Sequence, residues 1–205
     1  MIILIGGAPT VGKSYLAKKL GKELKLPWIS TDTIRGNMRK TVTNRSDYPH
    51  LFDFKERDAV PYLNAHTPQE IVDHTNLENT QVWRGIVDFI DEGSFGDSYI
   101  IEGMAILPKQ EALLKKKDER IRSLFLVDHN VGRLRDIIYT RGLWDDAFKY
   151  SDAVKEKELQ WVLLFNDWVE AECATHKLHA ITNNGRDPIF YTEAREYLTG
   201  TISPS

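Results

Sequence analysis

Gly7-Ala8-Pro9-Thr10-Val11-Gly12-Lys13-Ser14 is a complete G-x-x-x-x-G-K-[ST] stretch, and its residue types suit one task, the holding of a chain of phosphates. The glycines permit a tight turn in which successive backbone N–H groups point inward at phosphate oxygens. A helix opening near Lys13 adds its positive dipole end to the same anion site. Lys13 would set its charge against the β- and γ-phosphates, and the Ser14 hydroxyl would ligate Mg²⁺. The loop backbone and the adjoining Tyr15 complete the expected nucleotide cradle.

Other side chains at the ends of apolar runs could work beside that loop. Asp32 follows Trp28-Ile29-Ser30-Thr31. A carboxylate there could accept the proton of an attacking hydroxyl, or hold Mg²⁺ through water; it could equally cap a helix, as could Thr31 and Thr33. Glu102 follows Tyr99-Ile100-Ile101 and is a second candidate for the metal or the acceptor. Asp128 closes a fourth run and reads first as a cap. Arg133 and Arg141 could close on the charge that spreads over a phosphoryl group in transfer, while Arg135 reads as a solvated residue paired with acids such as Asp136. Arg35 and Arg39, one helical turn apart just after Asp32, suit an anionic acceptor. Arg45, Lys55 and Arg57 are secondary candidates. The histidines are scattered, His176 and His179 included, so no metal-ligand spacing is legible, and no Ser-His-Asp signature is present.

The elements that must position these groups alternate. Apolar runs read as strands at Ile2–Ile5, Trp28–Asp32, Ser98–Gly103 and Ile121–Asp128, with a short fifth strand and turn over His179–Gly185, each separated from the next by helical stretches. That alternation implies an α/β fold with a parallel sheet, in which ligands bind at the carboxyl ends of strands. Helices are expected from Lys13 to about Leu24, from Thr33, from Pro68 to about Gly93 with a break near Asn76–Asn79, and from Pro108 to Lys115–Lys117. Others are expected over His129–Arg141, Asp152–Lys177 and Pro188–Leu198. The long Asp152–Lys177 helix should bury Val154, Leu159, Trp161, Val162, Phe165, Trp168 and Val169. Residues 41–67 lack clean periodicity and carry Tyr48, Pro49, Phe52, Phe54, Pro61 and Tyr62; such segments often hold a second substrate. We expect one domain over residues 1–205, with a substrate-binding insertion at about 41–92 and a lid at about 129–151.

The 205 residues carry a net charge of −3 with pI near 6.1, which gives no basic surface for long nucleic acids. Cys173 is the single cysteine and reads as a small buried side chain. No apolar run approaches a membrane span. The first apolar residues lead straight into the phosphate loop, so they read as strand rather than signal peptide and a cytoplasmic location is expected.

Taken together, Gly6 to Ser14, Ser30-Thr31-Asp32-Thr33-Ile34-Arg35 with Met38-Arg39, and Ile100-Ile101-Glu102-Gly103 followed by Pro108 resemble the P-loop small-molecule kinases, and within them the 2-phosphoglycerate kinase-like group. The resemblance implies a P-loop NTPase three-layer fold, a five-stranded parallel sheet flanked by helices, with a small substrate-binding insertion and a helical lid after strand four. It implies ATP as phosphoryl donor, Mg²⁺ as cofactor and a small molecule as acceptor. By the same analogy Asp32 faces the acceptor with Arg35 behind it, and Asn183 and Asn184 fall where the loop after strand five approaches adenine. The archaeal kinases of that group carry an extra N-terminal region, and their strand-three acid is often followed by Gly-x-His, where Met104 and Ala105 follow Gly103 here.

Two other readings stay open. A nucleoside or nucleotide kinase would use the aromatics of residues 41–67 to stack on a base. A regulatory module would cycle with nucleotide and no acceptor; for GTP it lacks an N-K-x-D motif, which Thr182-Asn183-Asn184-Gly185 does not supply. An RNA-end kinase has little support from the charge balance. The oligomeric state is left open, a homodimer included.

Overall fold

The strand that enters the phosphate loop lies in the middle of the sheet. In the computed structural model, which describes residues 1–52, 59–93, 95–141, 147–183, 185 and 189–200, β1 (Ile2–Gly7) is buried along its whole length. It pairs in parallel with β3 (Tyr99–Glu102) on one side and β4 (Ile121–Val127) on the other. β2 (Trp28–Ser30) extends the sheet beyond β3, and β5 (Ala180–Thr182) extends it beyond β4. The order β2-β3-β1-β4-β5 is all parallel. Helices cover both faces of such a sheet, which explains why β1, β3 and the second half of β4 read as continuous apolar runs rather than alternating ones.

The helices are α1 (Lys13–Leu24), α2 (Thr31–Thr41), α3 (Ala59–Ala65), α4 (Pro68–Glu92), α5 (Pro108–Lys115), α6 (Val131–Arg141), α7 (Asp152–His176) and α8 (Ile189–Thr199). Helices α1 and α8 are tied together by the Tyr191 hydroxyl donating to Glu23 and by Arg195 on the same carboxylate at 3.0 Å. Helices α5, α6 and α4 pack on α7. The buried face of α7 contains Val154, Leu159, Trp161, Val162, Phe165 and Val169, as its periodicity predicts, with Cys173 beneath it; Trp168 is only partly covered. Asn166 interrupts that face to serve the sheet: its Oδ1 accepts from the Asp128 N–H at 2.7 Å, and its Nδ2 donates to the Val162 carbonyl at 2.9 Å. No helix among the described residues is long and apolar enough to cross a membrane.

Two local expectations need correction. The chain leaves β2 at Ser30, not Asp32: the Ser30 hydroxyl accepts from Thr33 N–H at 3.1 Å and caps α2, so Asp32 lies in the first helical turn. A serine side chain satisfies the orphan amide there, and an acid inside the first turn is favoured by the helix dipole. The break near Asn76–Asn79 is absent; α4 runs unbroken for 25 residues, started by a Thr67–Glu70 capping box with Pro68 behind it and ended by Gly93 at φ 64. The short fifth strand and the turn after it are as read, β5 ending at Thr182 and Asn183 belonging to the loop. Residues 142–146, Asn184 and Pro188 lie outside the described residues.

Gly103, immediately after β3, is held at φ +150, and a Cβ there would stand 1.8 Å from the Thr31 hydroxyl oxygen. No L-residue adopts that backbone cheaply, and Thr31 sits on rigid helix backbone. Gly103→Ala is therefore expected to lower unfolding free energy by at least about 2 kcal/mol, measured by urea denaturation; an unchanged midpoint would show that Thr31 moves aside freely.

Candidate active site

Sheet order decides what meets at the phosphate loop. Because β3 lies beside β1, with Ile5 opposite Glu102, and β2 lies beside β3, with Ser30 opposite Glu102, the loop, Glu102 and the start of α2 share one edge. Gly12 occupies the left-handed region at φ 96 as the residue before α1, and Lys13 and Ser14 open the helix. Together with Pro9, Thr10, Ser30, Asp32, Arg35, Glu102, Gly103 and Arg141 they line a cavity of about 270 Å³.

Lys13 is buried, and its ammonium donates to the carbonyl of Ala8 in its own loop. Burial lowers its pKa to about 8, against the opposing pull of Glu102 and Asp32, while Arg141 lowers it further. Ser14 donates to Glu102 Oε1 at 2.9 Å. Glu102 is itself buried, and desolvation raises its pKa despite Lys13 and the Ser14 hydroxyl. A serine hydroxyl and a carboxylate in contact at the foot of a phosphate loop form the hard oxygen donor set that suits Mg²⁺, so the residues present fit that ion. Among the described residues no His/Cys/Asp/Glu cluster forms a dedicated metal cage.

On the far wall Asp32, largely exposed, pairs with Arg35, whose other nitrogen donates to Glu78 Oε2 at 3.2 Å. Arg39 pairs with Glu78 Oε1 and donates to the Leu51 carbonyl at 2.7 Å. Glu78, from α4, is buried between the two guanidiniums; desolvation raises its pKa while both arginines oppose the rise. Arg39 does not reach the cavity wall and stands behind Arg35 as a partner of their shared carboxylate. Thr75, Asn79, Met104 and Trp161 complete the lining.

The other flank is built differently. Asn183 follows β5, and its Nδ2 donates to the Val11 carbonyl at 2.8 Å, bracing the back of the loop. Asp128, buried at the end of β4, accepts from Asn130 N–H at 2.8 Å and pairs with Arg133. Asp128 therefore closes a turn ahead of α6 and anchors an arginine rather than capping the helix as read: the cap is Asn130, whose Oδ1 accepts from the Arg133 N–H at 3.0 Å. Arg133 runs alongside Gly185 and is not among the residues lining the cavity. Arg135 pairs with Glu156 of α7 at 2.6 Å, a structural pairing with a different acid from the Asp136 expected. Tyr15 is half exposed on α1, with Lys19 over its ring, and also stands off the cavity. Arg45 lies over the Phe52 ring, and Lys55 and Arg57 are outside the described residues.

Of the sequence-derived candidates the cavity thus unites Pro9, Thr10, Lys13, Ser14, Asp32, Arg35, Glu102 and Arg141. Glu78, Thr75, Asn79, Met104 and Trp161 were missed. A signal existed for three of them: Thr75, Glu78 and Asn79 follow i, i+3, i+4 spacing, so they share one face of a helix.

A parallel sheet in this order, a phosphate loop after its central strand and a carboxylate beside it define a P-loop protein with the architecture of the small-molecule kinases. Residues 2–94 match the model of a family described as AAA domain. The chain resembles the 2-phosphoglycerate kinases. It is 31% identical over 153 residues to the 2-phosphoglycerate kinase of Methanothermobacter thermautotrophicus, covering 70% of this chain and 49% of the relative. It is 31% identical over 147 residues to that of Methanocaldococcus jannaschii, covering 69% and 46%. The chain spans about half the length of the curated relatives it matches. Among solved structures, shikimate kinase from Bacteroides thetaiotaomicron superposes with a TM-score of 0.59 over 98% of this chain and 97% of that one, at 15% identity. TT1252 from Thermus thermophilus gives 0.52 over 100% and 98%, at 16% identity. At such identities the likeness is one of fold.

Proposed function

We propose that this protein transfers the γ-phosphate of ATP to a hydroxyl of a small anionic metabolite, 2-phosphoglycerate or a close analogue. The observation that carries the reading is the continuity of the cavity. One space is lined both by Lys13 and Ser14 of the phosphate loop and by Asp32, Glu102, Arg35 and Arg141. A nucleotide switch without an acceptor has no use for the Asp32–Arg35 wall.

Lys13 and the loop amides hold the phosphates, with ADP as the leaving group. Ser14, with Glu102 and Asp32 beside it, would hold Mg²⁺, which would supply charge neutralisation to the phosphates. Asp32 orients the acceptor hydroxyl and takes its proton at a carboxylate oxygen. Arg35 and Arg141 bind the acceptor's negative charge, and Arg141, at the end of α6, also faces the transferring group. Residues 41–92 form the acceptor-binding insertion and 129–151 the lid that excludes water, without which ATP would simply be hydrolysed.

The test is acceptor-dependent ADP release from Mg-ATP across phosphorylated acids, hydroxy acids, nucleosides and sugars, with the product read by phosphorus NMR. A new phosphoester with 2-phosphoglycerate supports the reading; one only with nucleosides would move it to the nucleoside kinases. Asp32→Asn is expected to retain nucleotide affinity and lose turnover by on the order of 10²–10⁴-fold. Normal turnover in that variant would remove Asp32 from the proton-accepting role.

A further inference from the structure

Helix α4 buries Ile71, Val72, Val82, Trp83, Ile86 and Ile90. Where it passes the cavity this apolar face gives way to Thr75, Glu78 and Asn79, all buried and all lining the space. Glu78 is accounted for by Arg35 and Arg39. Asn79 is not: it is 3% exposed, and its Nδ2 meets no hydrogen-bond partner. A buried amide donor without an acceptor is costly, and folded proteins carry few of them. Thr75, one turn earlier on the same face, already donates its proton to the Ile71 carbonyl at 2.7 Å, so it has only lone pairs left to offer.

A donor at Asn79 beside an acceptor at Thr75 complements a group that both accepts and donates. A hydroxyl does; a carboxylate or phosphate oxygen only accepts. Residues four apart on a helix have Cβ atoms about 5–6 Å apart, a gap that one bridging oxygen can span. Trp161, from α7, closes the same part of the cavity and offers an apolar surface to the carbon skeleton that carries the hydroxyl.

We propose that Thr75 and Asn79 form a hydroxyl-reading pair that sets acceptor specificity, with Asn79 Nδ2 donating to the acceptor hydroxyl and Thr75 Oγ receiving that hydroxyl's proton in a hydrogen bond in the bound ground state, before the proton turns to Asp32 for transfer. The inference rests on the cavity being the phosphoryl-acceptor site, and it selects hydroxylated acids over the same skeletons lacking the hydroxyl.

Calorimetry with Mg²⁺ and a non-hydrolysable ATP analogue tests it. The probes are 2-phosphoglycerate, which carries a free hydroxyl, and 2-phospholactate, which has hydrogen in its place. The wild-type protein is expected to prefer the hydroxylated probe by at least about tenfold. Asn79→Leu is expected to reduce that preference below threefold with the affinity for the nucleotide analogue unchanged. A full preference in Asn79→Leu, or equal binding of both probes by the wild type, overturns the proposal. Binding of neither probe by the wild type would sink the 2-phosphoglycerate reading instead, and the unliganded proteins then decide on Asn79. An unfolding midpoint of Asn79→Leu at or above the wild type's marks a donor kept for a ligand. A midpoint several degrees lower marks a group the fold itself uses, and overturns the assignment.

Discussion

Lys13→Met is expected to cut acceptor-dependent phosphoryl transfer by on the order of 10²–10³-fold or more while the protein stays folded. The argument is one of electrostatics in a confined place. Lys13 is buried at the foot of the cavity, where burial already pulls its pKa down to about 8 against the carboxylates of Glu102 and Asp32. An ammonium in such surroundings interacts with phosphate far more strongly than it would in water. In the unliganded protein it donates to the Ala8 carbonyl, a contact that any phosphate oxygen would replace. Removing it takes a costly buried charge from the folded state, so the unfolding midpoint of Lys13→Met should not fall. Rates are followed by ADP release and folding by thermal denaturation. Turnover within tenfold of the wild type would show that the charge for transfer comes from elsewhere, with Arg141 the first suspect.

A second large effect concerns a residue off the cavity. Glu158, on the buried face of α7, is fully buried, and neither carboxylate oxygen has a hydrogen-bond partner. Burial raises its pKa from the ordinary 4.5 to about 7, with Lys155 the only opposing influence of note. A carboxyl whose folded pKa lies above its unfolded value binds its proton more tightly in the folded state. Its stability contribution is therefore complete at low pH and is lost as pH rises from about 4.5 through about 7. By linkage Glu158 should cost the wild type roughly 2–3 kcal/mol across that window, and Glu158→Gln, which cannot ionise there, should lose that much less. Urea denaturation of both proteins at pH 5 and pH 8 measures the difference. Parallel losses would mean that water or a shifted lysine reaches Glu158 in solution.

The phosphate loop could be read from its sequence because everything it needs is contiguous: a strand, two glycines, a lysine, a hydroxyl and a helix start. Glu102 was accessible for a related reason, since an acid at the end of an apolar run in a parallel sheet must emerge at the ligand-binding edge. The acceptor side was harder. Glu78 lies 43 residues from Arg35, and no local pattern announces that two arginines of one helix share a carboxylate from another. Asn76 and Asn79 argued for a broken helix on propensity alone; the capping box at Thr67 and the apolar contacts on either side of the polar stretch outweigh it. Trp161 was read as core, and it is buried, yet a buried ring can still form a cavity wall. Arg133 and Arg141 are eight residues apart and looked equivalent, but Asp128 holds the first against the β5 side while the second extends to the cavity.

The order of strands also divides the molecule into two provinces with the phosphate loop as their common frontier. Asn183 and the Asp128–Arg133 pair brace one side through β4 and β5; Ser30, Glu102 and the Arg35–Glu78–Arg39 group occupy the other through β3 and β2. Among the described residues these two sets share no hydrogen bond, and groups without shared partners respond to substitution nearly independently. On the proposed kinase reading, acceptor preference can therefore drift by exchange of residues on α2 and α4 while the phosphate-loop half stays intact, a modularity that lets one scaffold be retuned to new acceptors without rebuilding its nucleotide half.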